Sequence, residues 1–337
     1  MALAIGVDIG GTNTRLGVVD STGRVVERRR FATNAAAGPG PALERLAEKI
    51  AGLRRGRAVA AVGVGVAGLI DHRYGIVRVP PNLPGWHGTE VARELNERTG
   101  LPVRVTNDAN AVTLGEWRHG AGEGCQDLFC LTLGTGVGGG AIVGGRLMTG
   151  RNGAAGELGH TVIFGNGLPC RCGGRGCLER YVGAAYVVKR ARERVKAQVK
   201  RLTDHRDQLP MFDGVRADKP SLLLDICGPR LRGLTVKEIG QAARRRDPLA
   251  LELVVEVGHY VGLGLVNVVA LLDPERVVVG GGVAGLGAPL LKAIQRTVFR
   301  RCQLFDGRRL EVVFAKLGDD AGVVGAARWA EQPAESD

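Results

Sequence analysis

The chain has 337 residues, 45% of them hydrophobic and 24% charged, with a formal net charge of +12. This composition excludes a disordered or fibrous chain and leaves room for two ordinary domains. Aromatic residues make up only 4% of the chain, and the basic runs at 28–30 and 244–246 have little aromatic interleaving. A base-stacking nucleic-acid platform is therefore unsupported, and the positive excess reads as scattered surface arginine.

Residues 3–9 (LAIGVDI) read as a buried strand, 15–20 as its hairpin partner and 24–31 as a third strand. No export signal precedes the first strand and no apolar run reaches the length of a membrane span, so the expected location is the cytoplasm, with no membrane partner. Leu43, Leu46, Ala47, Ile50 and Leu53 recur at helical spacing behind GPGP, which predicts a helix. Strands are expected at 59–66 and 103–106, and a helix over 109–117. A second set then echoes the first: a strand at 128–133, a turn formed by GTGVGGG, and a strand at 141–143. The pattern predicts two related α/β halves. Beyond them come a helix over 181–202, a polar inserted loop at 204–229, two helices within 236–272, strands at 277–279 and 311–314, and a helix at GVVGAARWA before a frayed end. The expected division is a smaller N-terminal domain, 1–117, completed by the C-terminal helix at about 318–332, and a larger domain, 118–317.

The densest chemistry lies in ELGHTVIFGNGLPCRCGGRGCLE, residues 157–179. His160, Cys170, Cys172 and Cys177 fall close together among glycines, and one His with three Cys is a standard tetrahedral zinc set. The alternative is reduced cysteines that merely cluster. A structural metal here would hold the flanking carboxylates, Glu157 and Glu179, rigid. Cys125, Cys130, Cys227 and Cys302 read as solitary thiols, and an odd cysteine total without an export signal suits a reducing compartment.

Three glycine clusters follow apolar strands: DIGGTNTR (8–15), LGTGVGGG (133–140) and GGGV (280–283). Glycine lets main-chain N–H groups approach phosphate oxygens, and Thr12 and Thr135 add hydroxyl donors, although hairpins also use such turns structurally. The sequence fits neither GxxxxGK[ST] nor a dinucleotide fingerprint, because AIVGGRL after the second cluster is a strand and turn rather than a helix. Asp8 either caps a turn or orients a hydrated Mg²⁺ beside phosphates. Asp108, after the strand VRVT and before ANAVTLGEW, either caps a helix or accepts a proton from a substrate hydroxyl.

Taken together in order and spacing, DIGGTNTR, PNLPGW, NDANA, LGTGVGGG, AAGELGH, CRCGGRGCLE, GLGLVNVVALLDP, VVVGGGV and DDAGVVGAA resemble the ROK family over nearly the whole chain, specifically its glucokinase-type sugar kinases. The resemblance implies an α/β, actin-like (ribonuclease H-like) fold of two domains that close over an interdomain cleft. It implies ATP-dependent phosphorylation of a hexose 6-hydroxyl, glucose foremost, with N-acetylglucosamine, N-acetylmannosamine or fructose as alternatives. Asp108 would be the general base. Asn107, Asp108, Glu157, His160 and Glu179, with Gly68 and Asn82, would line the sugar pocket. Asp8, Gly10, Gly11, Thr12, Asn13, Gly134, Thr135, Gly136, Val137, Gly138, Gly281 and Gly282 would surround ATP and its Mg²⁺. His160, Cys170, Cys172 and Cys177 would hold structural zinc, and a homodimer or homotetramer would be expected.

Two rival readings belong to other classes. A sugar-responsive repressor would need a helix-turn-helix ahead of the first glycine cluster, which begins within the first ten residues. A catalytically dead sensor would be expected to lack Asp108 or the glycine clusters, and both are present. Polyphosphate as donor, in place of ATP, is compatible with the positive charge.

Overall fold

Valine-rich runs spaced by small residues build two five-stranded sheets. The protein is described by a computed structural model covering residues 3–204, 211–212, 215–216, 219–302 and 310–332. In the first half, β1 (Leu3–Ile9), β2 (Asn13–Val19) and β3 (Val25–Ala32) form an antiparallel meander. Helix α1 (Pro39–Arg54) carries the chain to β4 (Val59–Val66), which lies parallel to β1. A short hairpin, β5 (Leu69–Asp71) and β6 (Ile76–Val79), precedes α2 (Val91–Thr99) and β7 (Val103–Asn107), giving the order β3-β2-β1-β4-β7.

Helix α3 (Asp108–His119) leads to the second sheet, which repeats the plan. Strands β8 (Leu128–Leu133), β9 (Val137–Val143) and β10 (Arg146–Met148) are antiparallel. Helices α4 (Glu179–Val182) and α5 (Ala184–Asp204), the small strands β11 (Met211–Phe212) and β12 (Val215–Arg216), and helices α6 (Leu222–Cys227), α7 (Val236–Arg244) and α8 (Pro248–Leu272) follow. Then β13 (Arg276–Gly280) pairs parallel with β8, α9 (Ala288–Arg301) crosses over, and β14 (Glu311–Phe314) extends the sheet to the order β10-β9-β8-β13-β14. Helix α10 (Ala321–Ala330) returns to the first half.

Each sheet has its own apolar core. Ile5, Val7, Val62, Val64, Leu43, Leu46, Ile50 and Trp86 close the first. Leu131, Leu133, Val277, Val279, Val257, Val261, Leu265 and Ile294 close the second. Helix α8 is long and apolar enough to cross a bilayer by length and composition, which the sequence reading did not anticipate, but 56% of its most apolar window is buried within the fold. It serves as a central core helix against α9 and α5.

Helices α3 and α10 lie against each other between the sheets, and small residues make this possible. Gly6 and Gly63 press on the carbonyls of Val323 and Ala326, so at these two points α10 main chain rests directly on the first sheet. Gly115 and Gly325 bring α3 and α10 into main-chain contact, and Gly138 and Gly140 of β9 meet Ala109 and Thr113 of α3. Helix α3 therefore touches both sheets.

Four expectations need correction. The hairpin partner of β1 starts at Asn13 rather than residue 15, so the first turn is shorter than DIGGTNTR suggests. In the second half only 134–136 turn; Val137 to Gly140 are already strand, because Gly139 and Gly140 pair with Leu131 and Cys130. The helix expected over 181–202 is two helices broken at Gly183, whose N–H bonds the Glu179 carbonyl (2.9 Å). The loop expected at 204–229 contains α6, started by Ser221, whose hydroxyl accepts from Leu223 N. Residues 205–210, 213–214 and 217–218 of that segment, and the frayed end expected at 333–337, lie outside the described residues.

A methyl group at Gly325 would overlap the Ala111 carbonyl. Alanine gains roughly 1 kcal/mol of helix propensity over glycine, while overpacking against unyielding structure costs about 1–3 kcal/mol. Because the obstacle is main chain, overpacking should win. Gly325→Ala is expected to lower the urea unfolding midpoint by a net loss of up to about 2 kcal/mol; a midpoint at or above that of the parent would refute this packing account.

Candidate active site

Strand β7 ends at Asn107, and α3 starts at the next residue. Asn107 is the N-cap: its side-chain oxygen accepts from Ala109 N (2.8 Å) and Asn110 N (3.1 Å), while its amide donates to the Gly68 carbonyl (2.9 Å). Capping thus falls on Asn107. Asp108 is left as the first helical residue, half-buried, with Oδ1 accepting from Ala109 N at 2.9 Å. Burial raises its proton affinity above the ordinary carboxylate range, and the main-chain bonds at the helix start oppose that only in part. A carboxylate that binds a proton more tightly than usual is suited to general-base work.

The other carboxylates converge on the same region. Burial pushes Asp8, at the end of β1, up to about 6; the charge of Asp108 adds to the shift and Arg15, 3.7 Å away, opposes it. Glu157 is also raised, by burial first, with Asp108 and Glu179 adding repulsion and His160 relieving it. Glu179, at the start of α4, has one oxygen occupied by Val137 N (3.0 Å), and Gly136 leaves room for it. Four acidic groups share one electrostatic neighbourhood, as at sites where titration is tuned for chemistry.

An open cleft of about 1050 Å³ runs between the halves. Of the expected phosphate-binding residues, Asp8, Gly134, Thr135, Gly281 and Gly282 line it. Gly10, Gly11 and Thr12 form the turn into β2, closed by Gly10 N to Asn13 O (3.1 Å) and by Thr33 Oγ1 to Gly10 O (2.7 Å). Asn82 packs against Gly11, where a methyl would meet its carbonyl oxygen at 2.9 Å. Gly136 faces Glu179 instead of the cleft, Val137 is buried, and Gly138 sits in β9 against Thr132. Sequence reasoning missed Arg192 of α5, Thr235 at the start of α7, Lys237, and Gly322, where a methyl would lie 3.1 Å from Asp8 Cγ. DDAGVVGAA carried a signal for Gly322; the others sit in unremarkable helical patterns.

Beside the carboxylates, one donor atom from each of His160, Cys170, Cys172 and Cys177 lies within 4.8 Å of the rest. Cys172 Sγ and Cys177 Sγ are 3.7 Å apart, and Cys170 Sγ is 3.8 Å from His160 Nδ1. Tetrahedral zinc with bonds of about 2.3 Å to sulfur and 2.0 Å to nitrogen sets neighbouring ligand atoms roughly 3.6–3.8 Å apart, so the donor set fits the ion. With Nδ1 turned to the thiols, Nε2 points away from them.

Two α/β domains of the actin-like kind, facing each other across a cleft lined by carboxylates and glycine turns, define the class. The ROK family model matches residues 4–333, and the chain belongs to that family. It is 35% identical to a glucokinase of Streptomyces coelicolor over 334 residues, 99% of both chains. It is also 35% identical to a glucokinase of Thermotoga maritima over 323 residues, 96% of this chain and 95% of that one. Among solved structures it is similar to a ROK family glucokinase from Streptomyces griseus in complex with glucose and AMPPNP, with a TM-score of 0.82 and 37% identity over 98% of this chain and all of that one.

Asp8 binds its proton more tightly when folded than when unfolded, so the stability it contributes is full below about pH 4 and is lost as pH rises to about 6. Removing the charge with Asp8→Asn should stabilise the protein at pH 8, on the order of 2–3 kcal/mol, and change little at pH 4. Urea midpoints of parent and variant measured from pH 4 to 8 test this; parallel curves would contradict the electrostatic assignment.

Proposed function

We propose that the chain phosphorylates glucose on its 6-hydroxyl with ATP. The carrying observation is Asp108, a half-buried carboxylate of raised proton affinity held at a strand end by the Asn107 cap, next to a cleft lined by glycine turns. Kinship with glucokinases at 35% identity over nearly full length supports both the reaction and the substrate.

In this reading, one Asp108 oxygen takes the proton of the 6-hydroxyl as the hydroxyl oxygen attacks the γ-phosphorus and the bond from that phosphorus to the bridging oxygen breaks, releasing ADP. Asn107, Glu157, Glu179 and His160 pair with ring hydroxyls. Glu179 offers the oxygen not occupied by Val137, and His160 offers Nε2. Gly68 contributes through its bond to Asn107, and Asn82 borders the pocket from the Gly11 turn. The turn at Gly10–Asn13 and the cleft-lining Gly134 and Thr135, with Gly281 and Gly282, surround the nucleotide. Mg²⁺ accompanying ATP neutralises phosphate charge, and Asp8 is the carboxylate suited to orient it through water. Transfer needs little beyond such positioning and charge stabilisation.

His160, Cys170, Cys172 and Cys177 would hold zinc as a structural ion, fixing the loop between Glu157 and Glu179. The domain division at about residue 117, with α10 completing the first domain, and residence in the cytoplasm belong to the same reading.

Three measurements check it. Purified protein given glucose, mannose, fructose, N-acetylglucosamine and N-acetylmannosamine, each with ATP or polyphosphate, should form sugar phosphate fastest with glucose and ATP; preference for another pair would replace this assignment. Asp108→Asn should cut kcat by about 10²–10⁴-fold while glucose still binds, and near-parental turnover would sink the mechanism. Stripping metal with a chelator should lower Tm and raise the KM for glucose more than that for ATP, in step with zinc lost by elemental analysis. An unchanged glucose KM in zinc-free protein would separate the metal from the sugar pocket.

A further inference from the structure

Glu116, in the last turn of α3, has 0% of its surface exposed. Carboxylates are almost never so deeply buried unless fully paired. Its partners are main-chain N–H groups. Oε1 accepts from Lys316 N (3.0 Å) and Leu317 N (2.7 Å), and Oε2 accepts from Lys316 N (2.9 Å) and Ala121 N (2.8 Å). Charge-assisted bonds of this length are the strong kind.

The position of those donors is informative. The chain passes from the first sheet to the second between α3 and β8, and Ala121 lies on that passage. It passes back between β14 and α10, and Lys316 and Leu317 lie on that one. Ala315 is the last residue tied to the second sheet, through Val279 O (3.0 Å), and Leu317 O already accepts from Asp320 N (3.2 Å) at the approach to α10. The Glu116 carbonyl also takes Gly120 N (3.1 Å) and Gly122 N (2.8 Å). Gly120 is required there, because a methyl on it would overlap Glu116 Oε2. One buried side chain therefore clasps both interdomain passages at their crossing point.

We propose that Glu116 is the hinge pin of domain closure and a positioning residue for phosphoryl transfer. It rests on the reading of the chain as a closing sugar kinase. Glu116 and Asp108 share one helix, eight residues or about 12 Å apart. With the pin made, rotation occurs about a fixed point and carries Asp108 to the donor phosphate along one path. Without it, the passages slide and Asp108 arrives misplaced, so closure and turnover suffer while sugar contacts remain. A carboxylate suits the position because it only accepts; glutamine would turn its own N–H donors toward main-chain donors.

The test compares the parent with Glu116→Gln by small-angle scattering with and without saturating glucose, by glucose titration calorimetry, and by steady-state kinetics. The parent should compact with glucose. The variant should bind glucose within about threefold of the parent, lose at least tenfold in kcat, and compact less. A variant with lowered Tm but parental kcat and full compaction would make Glu116 a stabiliser only and overturn the proposal. A parent that ignores glucose would instead overturn the closing-kinase reading, and the pin with it. Should the variant not fold, amide hydrogen exchange in the parent decides. The amides of Ala121, Lys316 and Leu317 should stay equally protected with and without glucose, as at a pivot; exchange that changes on glucose binding would show that the clasp opens, and refute the proposal.

Discussion

The contact between α3 and both sheets is the constraint on which the rest of the molecule depends. A helix wedged between two sheets normally keeps a layer of side chains on each side. Here Gly115, Gly138, Gly140 and Gly325 remove part of that layer, and main chain meets main chain or a small side chain. Dispersion contacts at this range tolerate little displacement, so α3 is fixed against α10 at the end of β7, and its seat against β9 is where the two halves meet. Its N-terminus then presents Asp108 and its C-terminus presents Glu116, and neither can shift without the other.

The acidic residues at the cleft reveal a second consequence. A helix N-terminus favours a negative charge by roughly 0.3–1 kcal/mol, and Asp108 also accepts a main-chain N–H, so a lowered proton affinity would be the simple expectation. Burial outweighs both, and Asp8 and Glu157 follow the same direction with mutual repulsion added. Hydroxyl donors and cations brought to this cluster would favour its ionised carboxylates.

Much of this was legible in the sequence, for physical reasons. Strands β1, β4, β8 and β13 are short, mostly apolar runs with a glycine at or within two residues of their ends, a pattern that leaves few alternatives, and Leu43, Leu46, Ile50 and Leu53 announced one face of α1, all four of them buried. Asn107 and Asp108 were read as a pair with capping and catalysis both open; only the three-dimensional bonds divide those roles between them. The turn at 134–140 was drawn too long because glycine favours turns locally, and cross-strand pairing overrides that preference for Gly138, Gly139 and Gly140. Arg192 and Lys237 could not be assigned, since a cation on a helix face looks the same whether it meets solvent or a cleft. Nothing in the sequence singles out Glu116, because two of its partners are main-chain groups 200 and 201 residues away.

The segment between Glu157 and Glu179 shows why a metal suits this site better than added core would. It has little regular structure, and Val162, Phe164 and Leu168 remain substantially exposed. Its base is aligned by main chain: Leu178 N bonds Thr161 O (3.0 Å), and Val162 bridges Cys177. That pairing brings the two ends, and with them the two carboxylates, to one place. Towards the tip, Leu168 N bonds the Tyr181 hydroxyl (2.9 Å) and Cys170 N bonds Gly174 O (2.8 Å), and ordering a free backbone costs about 1–2 kcal/mol per residue. Four ligands on one ion would add to that order without requiring an apolar layer. The alignment of Glu157 with Glu179 would then survive loss of the ion in part, through the base, while the reach of His160 Nε2 would not.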